Sequence, residues 1–528
     1  MSQLLKSSSA MGAATMLSRV LGLVREIVYA GFMGTSWVAD AFNLAFAVPN
    51  LFRRLLGEGA LTAAFIPVFK AKEKTEGEPA MWKAANAVIS GLVLAAAVII
   101  LLGVLGISAA FALGFIKDGK TLLMLGLLRV LMPYLLLVCL AAVFMGMLNA
   151  RGHFFVPAMG ATMLNIVMIT SAGLSAWIGH ANGWRLDQQI YGLAIGVVVA
   201  GIAQAAFQLP LLRQEGFRYQ WTSPWQDSTV RRVVAQMIPG SIGVAAFQIN
   251  VLMTQGLAFG VDQGVLTSFN VAVRLMELPQ GVFGLSMAAI LLPTLSGLAS
   301  EKKYPEFRTT LGQGVNWLVF VNLLASVLLV ALAEPMIRLL FQRGAFDAES
   351  TQASASALMF LAPGLVAFSI VNVLARAFYA LGDIKTPMWI SIFCLVTNLL
   401  ITLAVIWRFK QAGMGFANTL TGFMNVSLLF YALRKKLKTL EMVELRRHIV
   451  VLLGAAAAAG VSAWLFFRWW SDHLGHDSFA TKLGEVFVPM TLATLIYFGI
   501  SAAFKTGHAH DMLEMFRSRA PRGKHTPL

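Results

Sequence analysis

Residues 39–69 read ADAFNLAFAVPNLFRRLLGEGALTAAFIPVF. The apolar run is longer than one soluble helix buries, and about 20 such residues cross the hydrocarbon core as a helix. Asp40, Arg53, Arg54 and Glu58 sit inside it. A charge at that depth costs about 3 kcal/mol or more and persists where it meets a partner or a water-filled cavity. The stretch therefore predicts a membrane helix with polar work to do. Pro49 removes a helical hydrogen bond and predicts a kink; Gly57 and Gly59 allow close approach of a neighbour.

The rest of the chain agrees. Of 528 residues, 58% are hydrophobic and 12% charged, with a mean hydropathy of +0.73, against about 25% charged in a soluble domain. Fourteen apolar tracts are expected, at 9–34, 38–69, 84–116, 121–150, 156–179, 188–213, 230–260, 264–298, 310–333, 351–381, 386–407, 412–434, 447–468 and 483–504. The fold class is an all-α integral membrane protein. Residues 334–346 (EPMIRLLFQRGAF) are amphipathic and too short to span, which predicts an interfacial helix. No long hydrophilic stretch could form a separate soluble domain. The first tract is interrupted by Arg19 and Arg25, so it is not a cleavable signal.

The net charge of +16 belongs to the membrane, not to nucleic acid. Lys/Arg concentrate in the loops Lys70–Lys83, Arg213–Arg232 and Lys302–Arg308 and in the run Arg434–Arg447, all on one side of an even-numbered topology. That side is expected to be cytoplasmic, with both termini on it.

The chain also repeats. Pro133, Gly152 and Pro157 are 19 and 5 residues apart, and so are Pro363, Gly382 and Pro387. Gly192 to Arg213 spans 21 residues, as does Gly413 to Arg434. Phe42-Asn43 precedes Pro67 much as Phe269-Asn270 precedes Pro293. Six spans repeated once in the same orientation give two bundles related by a pseudo-twofold along the membrane normal, a transporter architecture. The expected division is a lobe at 1–220, a second at 221–440, two extra helices at 441–505 and a basic cytoplasmic tail at 506–528.

Within the spans lie Arg19, Arg25, Arg53, Arg54, Arg129, Arg274 and Arg376, against Glu26, Asp40, Glu58 and Glu277. The surplus of seven cations over four anions predicts a cavity for an anion. Guanidinium forks suit phosphate, so Arg19, Arg25, Arg53 and Arg274 are candidate ligands of a diphosphate. Glu26, Asp40, Asn50, Arg54, Glu58 and Glu277 are candidates for a charge network. Arg54 and Glu58 have the i,i+4 spacing of a local bridge, which competes with a ligand role for Arg54. Pro49, Gly57, Gly59, Pro279 and Gly281 are hinge candidates. Arg129 and Arg376, alone in their tracts, are weaker candidates for a substrate role; snorkelling or pairing with a backbone carbonyl accounts for them as well. Cys139 and Cys394 read as core residues. No metal spacing, GxSxG, Walker or dinucleotide fingerprint stands out, so a membrane glycosyltransferase or phosphatase lacks its catalytic group. A multidrug antiporter would favour an acidic cavity, and a scaffold would not need arginines in mid-membrane. No metal or organic cofactor is expected.

Six strings resemble the MurJ (MviN) lipid II flippases of bacterial cell-wall synthesis. They are SRVLGLVRE (18–26), residues 39–69, RLMELPQGVFG (274–284) with ILLPTLS (290–296), LLFQRGAFD (339–347) and GDIKTP (382–387). The resemblance covers about residues 5–440. It implies the multidrug/oligosaccharidyl-lipid/polysaccharide exporter superfamily and alternating access. The substrate would be undecaprenyl-pyrophosphate-linked disaccharide-pentapeptide, moved from the cytoplasmic to the periplasmic leaflet of the inner membrane. It also implies substrate arginines at Arg19, Arg25, Arg53 and Arg274, and a lipid-tail groove formed by the two extra helices. The small-residue run Ala455–Gly460 fits such a groove. Where some relatives hold sodium, this chain offers Asn250, Asn398, Thr402 and Asn418 without an acid. Coupling to a monovalent cation or to the membrane potential is the expectation, with membrane lipids and the cell-wall synthesis machinery as further partners.

Overall fold

The computed structural model describes residues 2–57, 60–225, 227–441, 443–504 and 506; Glu58, Gly59 and the 507–528 tail lie outside them. Every regular element among the described residues is helical, because a backbone in hydrocarbon must hydrogen-bond within its own segment or close into a barrel. In chain order these are α1 (Ser2–Met33), α2 (Trp37–Phe52), α3 (Ala60–Glu76), α4 (Glu78–Ala112), α5 (Gly119–Ala150), α6 (Phe155–Ala181), α7 (Leu186–Ala206), α8 (Leu209–Gln214) and α9 (Ser228–Val261). They continue with α10 (Val265–Pro279), α11 (Ser286–Ser300), α12 (Tyr304–Ala331), α13 (Ala333–Phe341), α14 (Ala348–Leu361), α15 (Gly364–Ala380), α16 (Lys385–Leu437), α17 (Val443–Leu474) and α18 (Phe479–Ala503).

Among the described residues nine helices are long and apolar enough to cross a membrane, or ten when α14 and α15, bent by 49°, count as one. The protein is an all-α, multi-pass membrane protein. α16 holds two expected tracts: the chain reverses at Lys410 (φ 47°, ψ −131°), and Asn398 Nδ2 donates to Thr421 Oγ1 at 3.1 Å across the fold. Two other tracts are interrupted at matching places. Pro49 is followed by a π-helical turn at Arg53–Gly57, and Pro279 by one at Gln280–Leu285. Proline denies the ladder one N–H and its ring pushes away the carbonyl four residues back, and a wider turn takes up the slack.

Contacts divide the chain into two compact units, Met1–Thr267 with Arg343–Asp347, and Ser268–Gln342 with Ala348–Leu528. This is a division by packing, whereas the repeat is one by sequence: α9 packs on α2, α3 and α4. The core of the first unit is threaded by rings. Phe65, Phe69, Trp82, Phe217 and Phe144 follow one another at centroid distances of 5.4, 5.5, 5.6 and 6.0 Å. The segment Arg343–Asp347 joins this unit through Ala345 N–H, which donates to Gly31 O at 2.8 Å. In the second unit α17 and α18 pack together, and α17 lies on α12. Tyr497, fully buried, donates its hydroxyl to Phe320 O at 2.8 Å.

The short amphipathic helix expected near 334–346 is α13, and its polar face is not all in water. Arg338 is 8% exposed and donates to Glu485 Oε1 of α18 at 2.6 Å, Glu485 being 0% exposed; its other nitrogen meets Glu334. Removing one member of such a pair strands a buried charge, at about 3–5 kcal/mol. Arg338→Ala should therefore lower the detergent-solubilised protein's unfolding temperature sharply, whereas the paired change Arg338→Met with Glu485→Leu should cost clearly less.

The repeat also shows in two turns of the same construction. After α5, Gly152 (φ +89°) lets His153 N–H reach back to Leu148 O at 2.9 Å; after α15, Gly382 (φ +73°) lets Asp383 N–H reach Phe378 O at 2.9 Å. This left-handed helix ending suits glycine. Each turn then ties to the end of its own bundle's sixth tract. His153 Nε2 lies 2.8 Å from Glu215 Oε1, and Lys436 Nζ lies 2.8 Å from Asp383 Oδ2. The positions correspond in the repeat, and the polarity is reversed. Lys436, with the Thr386 hydrogen bonds, holds Asp383 at about 2, below its ordinary 3.8. A lowered carboxyl stabilises the fold above its unfolded value and loses that contribution as pH falls through its folded value. The stability gap between the parent and Asp383→Asn should be constant near neutrality and close between 3.8 and about 2.

Candidate functional site

Of the four arginines expected to bind an anion, Arg19, Arg25 and Arg53 belong to the first unit and Arg274 to the second. Arg25 donates to Asn165 Oδ1 at 3.0 Å and to Glu26 Oε1 at 2.6 Å, while Asn165 Nδ2 returns a bond to Ser18 O at 3.1 Å. The guanidinium thus pins α1 to α6. Arg19, nearly two turns earlier on α1, is exposed and makes no ion pair among the described residues. Arg53 opens the π-helical turn and is half-buried. Arg274 donates to Glu277 Oε2 at 2.9 Å, both side chains being about half exposed. Exposed i,i+3 pairs of this kind are worth a few tenths of a kcal/mol.

Arg54 donates to the buried Gln248 Oε1 at 3.4 Å. Its expected partner Glu58, like the hinge candidate Gly59, lies outside the described residues. Asn50 bonds back to Phe46 O at 3.2 Å on its own helix. Pro49 lies inside α2, Gly57 closes the first π-helical turn, Pro279 ends α10, and Gly281 lies in the second π-helical turn. Arg129 lies over Phe111 and Arg376 over Tyr379, at 5.7 and 5.8 Å, as snorkelling cations do. Asn398 spends its amide on Thr421 and Asn418 on Met414 O, and the Thr402 hydroxyl is buried without a partner. Asn250 is half-buried on α9. No cluster of metal-binding side chains occurs among the described residues.

Asp40 is the best-defined polar centre. It is 0% exposed, and both oxygens are filled. Oδ1 accepts from Thr267 N–H at 2.9 Å and Thr267 Oγ1–H at 2.8 Å; Oδ2 accepts from Gly264 N–H at 2.7 Å and Lys120 Nζ at 3.3 Å. Asn43 adds a bond to Thr267 Oγ1 at 3.0 Å. Lys120 also donates to Phe259 O and Asp262 O and lies over the Phe259 ring. The carboxylate therefore takes the unsatisfied N–H groups where 265–267 begins a helix, the place where negative charge is most favourable. Gly264 has φ +78°, and a Cβ there would strike Thr35 O, so only glycine lets the turn approach. Sequence reading found Asp40 and missed Lys120, Asn165 and Gln248. The available signal for Lys120 was its place after Asp118, which caps α5.

The all-α fold, with its two proline-broken spans, is that of solved membrane transporters. An inward-facing MATE-family transporter of the MOP superfamily superposes over 82% of this chain and 99% of its own, with a TM-score of 0.66. A solved lipid II flippase MurJ in an inward closed conformation covers 95% of this chain and 99% of its own, with a TM-score of 0.76 at 21% identity. In sequence, the lipid II flippase MurJ family profile matches residues 29–484. The probable lipid II flippase MurJ of Vibrio cholerae is 33% identical over 470 residues, covering 87% of each chain. The lipid II flippase MurJ of Burkholderia cenocepacia is 32% identical over 466 residues, covering 86% of this chain and 89% of its own. The chain belongs to the MurJ lipid II flippase family.

The Asp40 centre yields a graded expectation. Asp40→Ala strands Lys120 and several N–H groups, at about 3–5 kcal/mol. Thr267→Val removes the hydroxyl's bond to Asp40 and the one it accepts from Asn43, at about 1–2 kcal/mol together. Unfolding temperatures should rank parent, Thr267→Val, Asp40→Ala, with membrane abundance falling in the same order.

Proposed function

We propose that this chain moves lipid II from the cytoplasmic to the periplasmic leaflet of a bacterial inner membrane by alternating access. It is a transporter, as its family is, rather than an enzyme. The observation that carries the reading is the pair of repeat-mate spans, each broken by proline and a π-helical turn beside arginines, in a chain matching the family over 29–484. Arg19, Arg25 and Arg53 of one unit and Arg274 of the other are the proposed ligands of the diphosphate. Depleting the protein should leave lipid II in the inner leaflet, read by leaflet-specific detection.

Arg53→Ala and Arg274→Ala should each abolish complementation of a depletion strain at near-normal membrane abundance. Lysine should restore only part of it, since it keeps the charge and loses the fork. Full growth with alanine at both positions would remove the diphosphate-clamp reading.

The tail needs an apolar bed. In the second unit a groove of about 660 Å³ lies along α17, lined by Val319, Val327, Ile370, Leu453, Ala457 and Trp464 among others. The run Ala455–Gly460 serves two purposes. Ala455, Ala456 and Ala459 are buried against the core, while Ala457 lines the groove. Gly460 faces Val327 of α12, whose side chain a Cβ there would strike. We assign the groove to the polyprenyl chain.

The driving force is proposed to be the membrane potential or a monovalent cation gradient, to be separated by collapsing each in turn. Contacts with membrane lipids and with cell-wall synthesis proteins follow from the same reading. Both termini are proposed to be cytoplasmic, because Lys/Arg collect beside them. A cysteine at Thr75 should resist an impermeant thiol reagent in intact spheroplasts, and prompt labelling would reverse the orientation.

A further inference from the structure

The stripe of α17 that lines the groove does not end in an apolar residue. Ile449, Leu453, Ala457, Val461 and Trp464 follow one another at spacings of four, four, four and three, which keeps them on one helix face. The next position on that face is Arg468. Its guanidinium carbon lies over the Trp464 ring, 5.0 Å from the centroid, so the last apolar wall of the groove is also the platform that aims the cation. Arg468 is exposed and makes no ion pair among the described residues; Asp472, one turn further on, is not within bridging distance. By contrast, Arg338, also in this unit, is held by Glu334 and Glu485.

Position along the helix matters as much as direction. Arg447 and Arg468 are 21 residues apart, about 31 Å of helix, which matches a hydrocarbon core of about 30 Å. With Arg447 at one membrane surface, Arg468 stands at the other. A chain lying in the groove with its head at Arg468 has that head in the far leaflet.

We propose that the Trp464 end of the groove is a phosphate subsite, with Arg468 as its ligand, for a single-chain polyprenyl phosphate whose tail occupies the groove. This rests on the groove being the tail site. It deepens that reading by giving the tail site its own anion contact, separate from the mid-membrane arginines, and by placing the head on the side where a flipped lipid emerges. An arginine–phosphate contact, charge-assisted and fork-shaped, supports discrimination of about tenfold or more between a phosphate and an alcohol on the same chain.

The test uses the purified full-length protein in detergent and three probes: undecaprenyl phosphate, undecaprenol and phosphatidylglycerol, with binding read by native mass spectrometry. The parent should prefer the phosphate to the alcohol by about tenfold. Arg468→Gln should reduce that ratio to near one and leave undecaprenol binding unchanged, and Arg468→Lys should fall between. Ala457→Trp should weaken undecaprenol and undecaprenyl phosphate alike. Retention of the phosphate preference in Arg468→Gln overturns the subsite while the groove stands. Undecaprenol binding that ignores Ala457→Trp overturns the groove and the subsite with it. Equal competition by phosphatidylglycerol overturns the assignment to a single-chain lipid.

Discussion

A polypeptide in hydrocarbon has no water to satisfy its N–H and C=O groups, and the rest of this molecule follows from that constraint. It makes each spanning segment helical, so breaking a span must be compensated locally. At Pro49 and Pro279 the break is absorbed by widening one turn into a π-helix. At the start of 265–267 the free N–H groups are taken by the Asp40 carboxylate, itself neutralised by Lys120. The same rule explains why polar side chains on the spans so often bond back to their own helix, as Asn50, Asn322, Asn372 and Asn418 do.

Charges obey a harsher version of the rule and fall into three groups. Asp40 with Lys120, and Arg338 with Glu485, are buried and paired; they fix backbone positions and are expensive to break. Arg129 and Arg376 lie on aromatic rings at the exposed surface. Arg19 and Arg274 are exposed, Arg19 without an ion pair among the described residues and Arg274 on a half-exposed acid. The first group holds backbone in place and cannot let go without stranding a buried charge; cations at the exposed surface can meet a passing anion, which the proposed function asks of Arg19 and Arg274. Arg25 stands between the groups: it holds α1 to α6 through Asn165 and shares Glu26.

How much was legible in the sequence depended on the range of the interaction. Apolar period, proline breaks and repeat spacing are local, and they gave the all-α membrane fold, the kinked pair and the reversal inside α16. The importance of Asp40 was legible because a carboxylate in that tract demands a partner. Its partner was not, because Lys120 lies 80 residues away and looks like an ordinary loop lysine. Glu485 was passed over because it stands two residues inside an expected tract, where an acid is usually solvated; α18 starts earlier, at Phe479, and buries it. Arg54 pointed to Glu58 by helical spacing, but spacing could not show that Gln248 of α9 lies within reach. Neutral partners such as Gln248 and Asn165 carry no charge signal for a sequence reading to find.

The opposed polarity of the two turn clamps has a consequence for how the chain assembles. Gene duplication yields two halves that begin with interchangeable parts, and interchangeable parts can be swapped while spans enter the bilayer one after another. Here a swap is discouraged by charge. A 152–154 turn that docked on the later bundle's arm would set His153 against Lys436, and a 382–384 turn on the earlier arm would set Asp383 against Glu215. The second mismatch brings two carboxylates together at any pH where both are ionised, and the first brings two cations together whenever the imidazole is protonated. Each turn thus carries a charge that suits its own arm and not the other's.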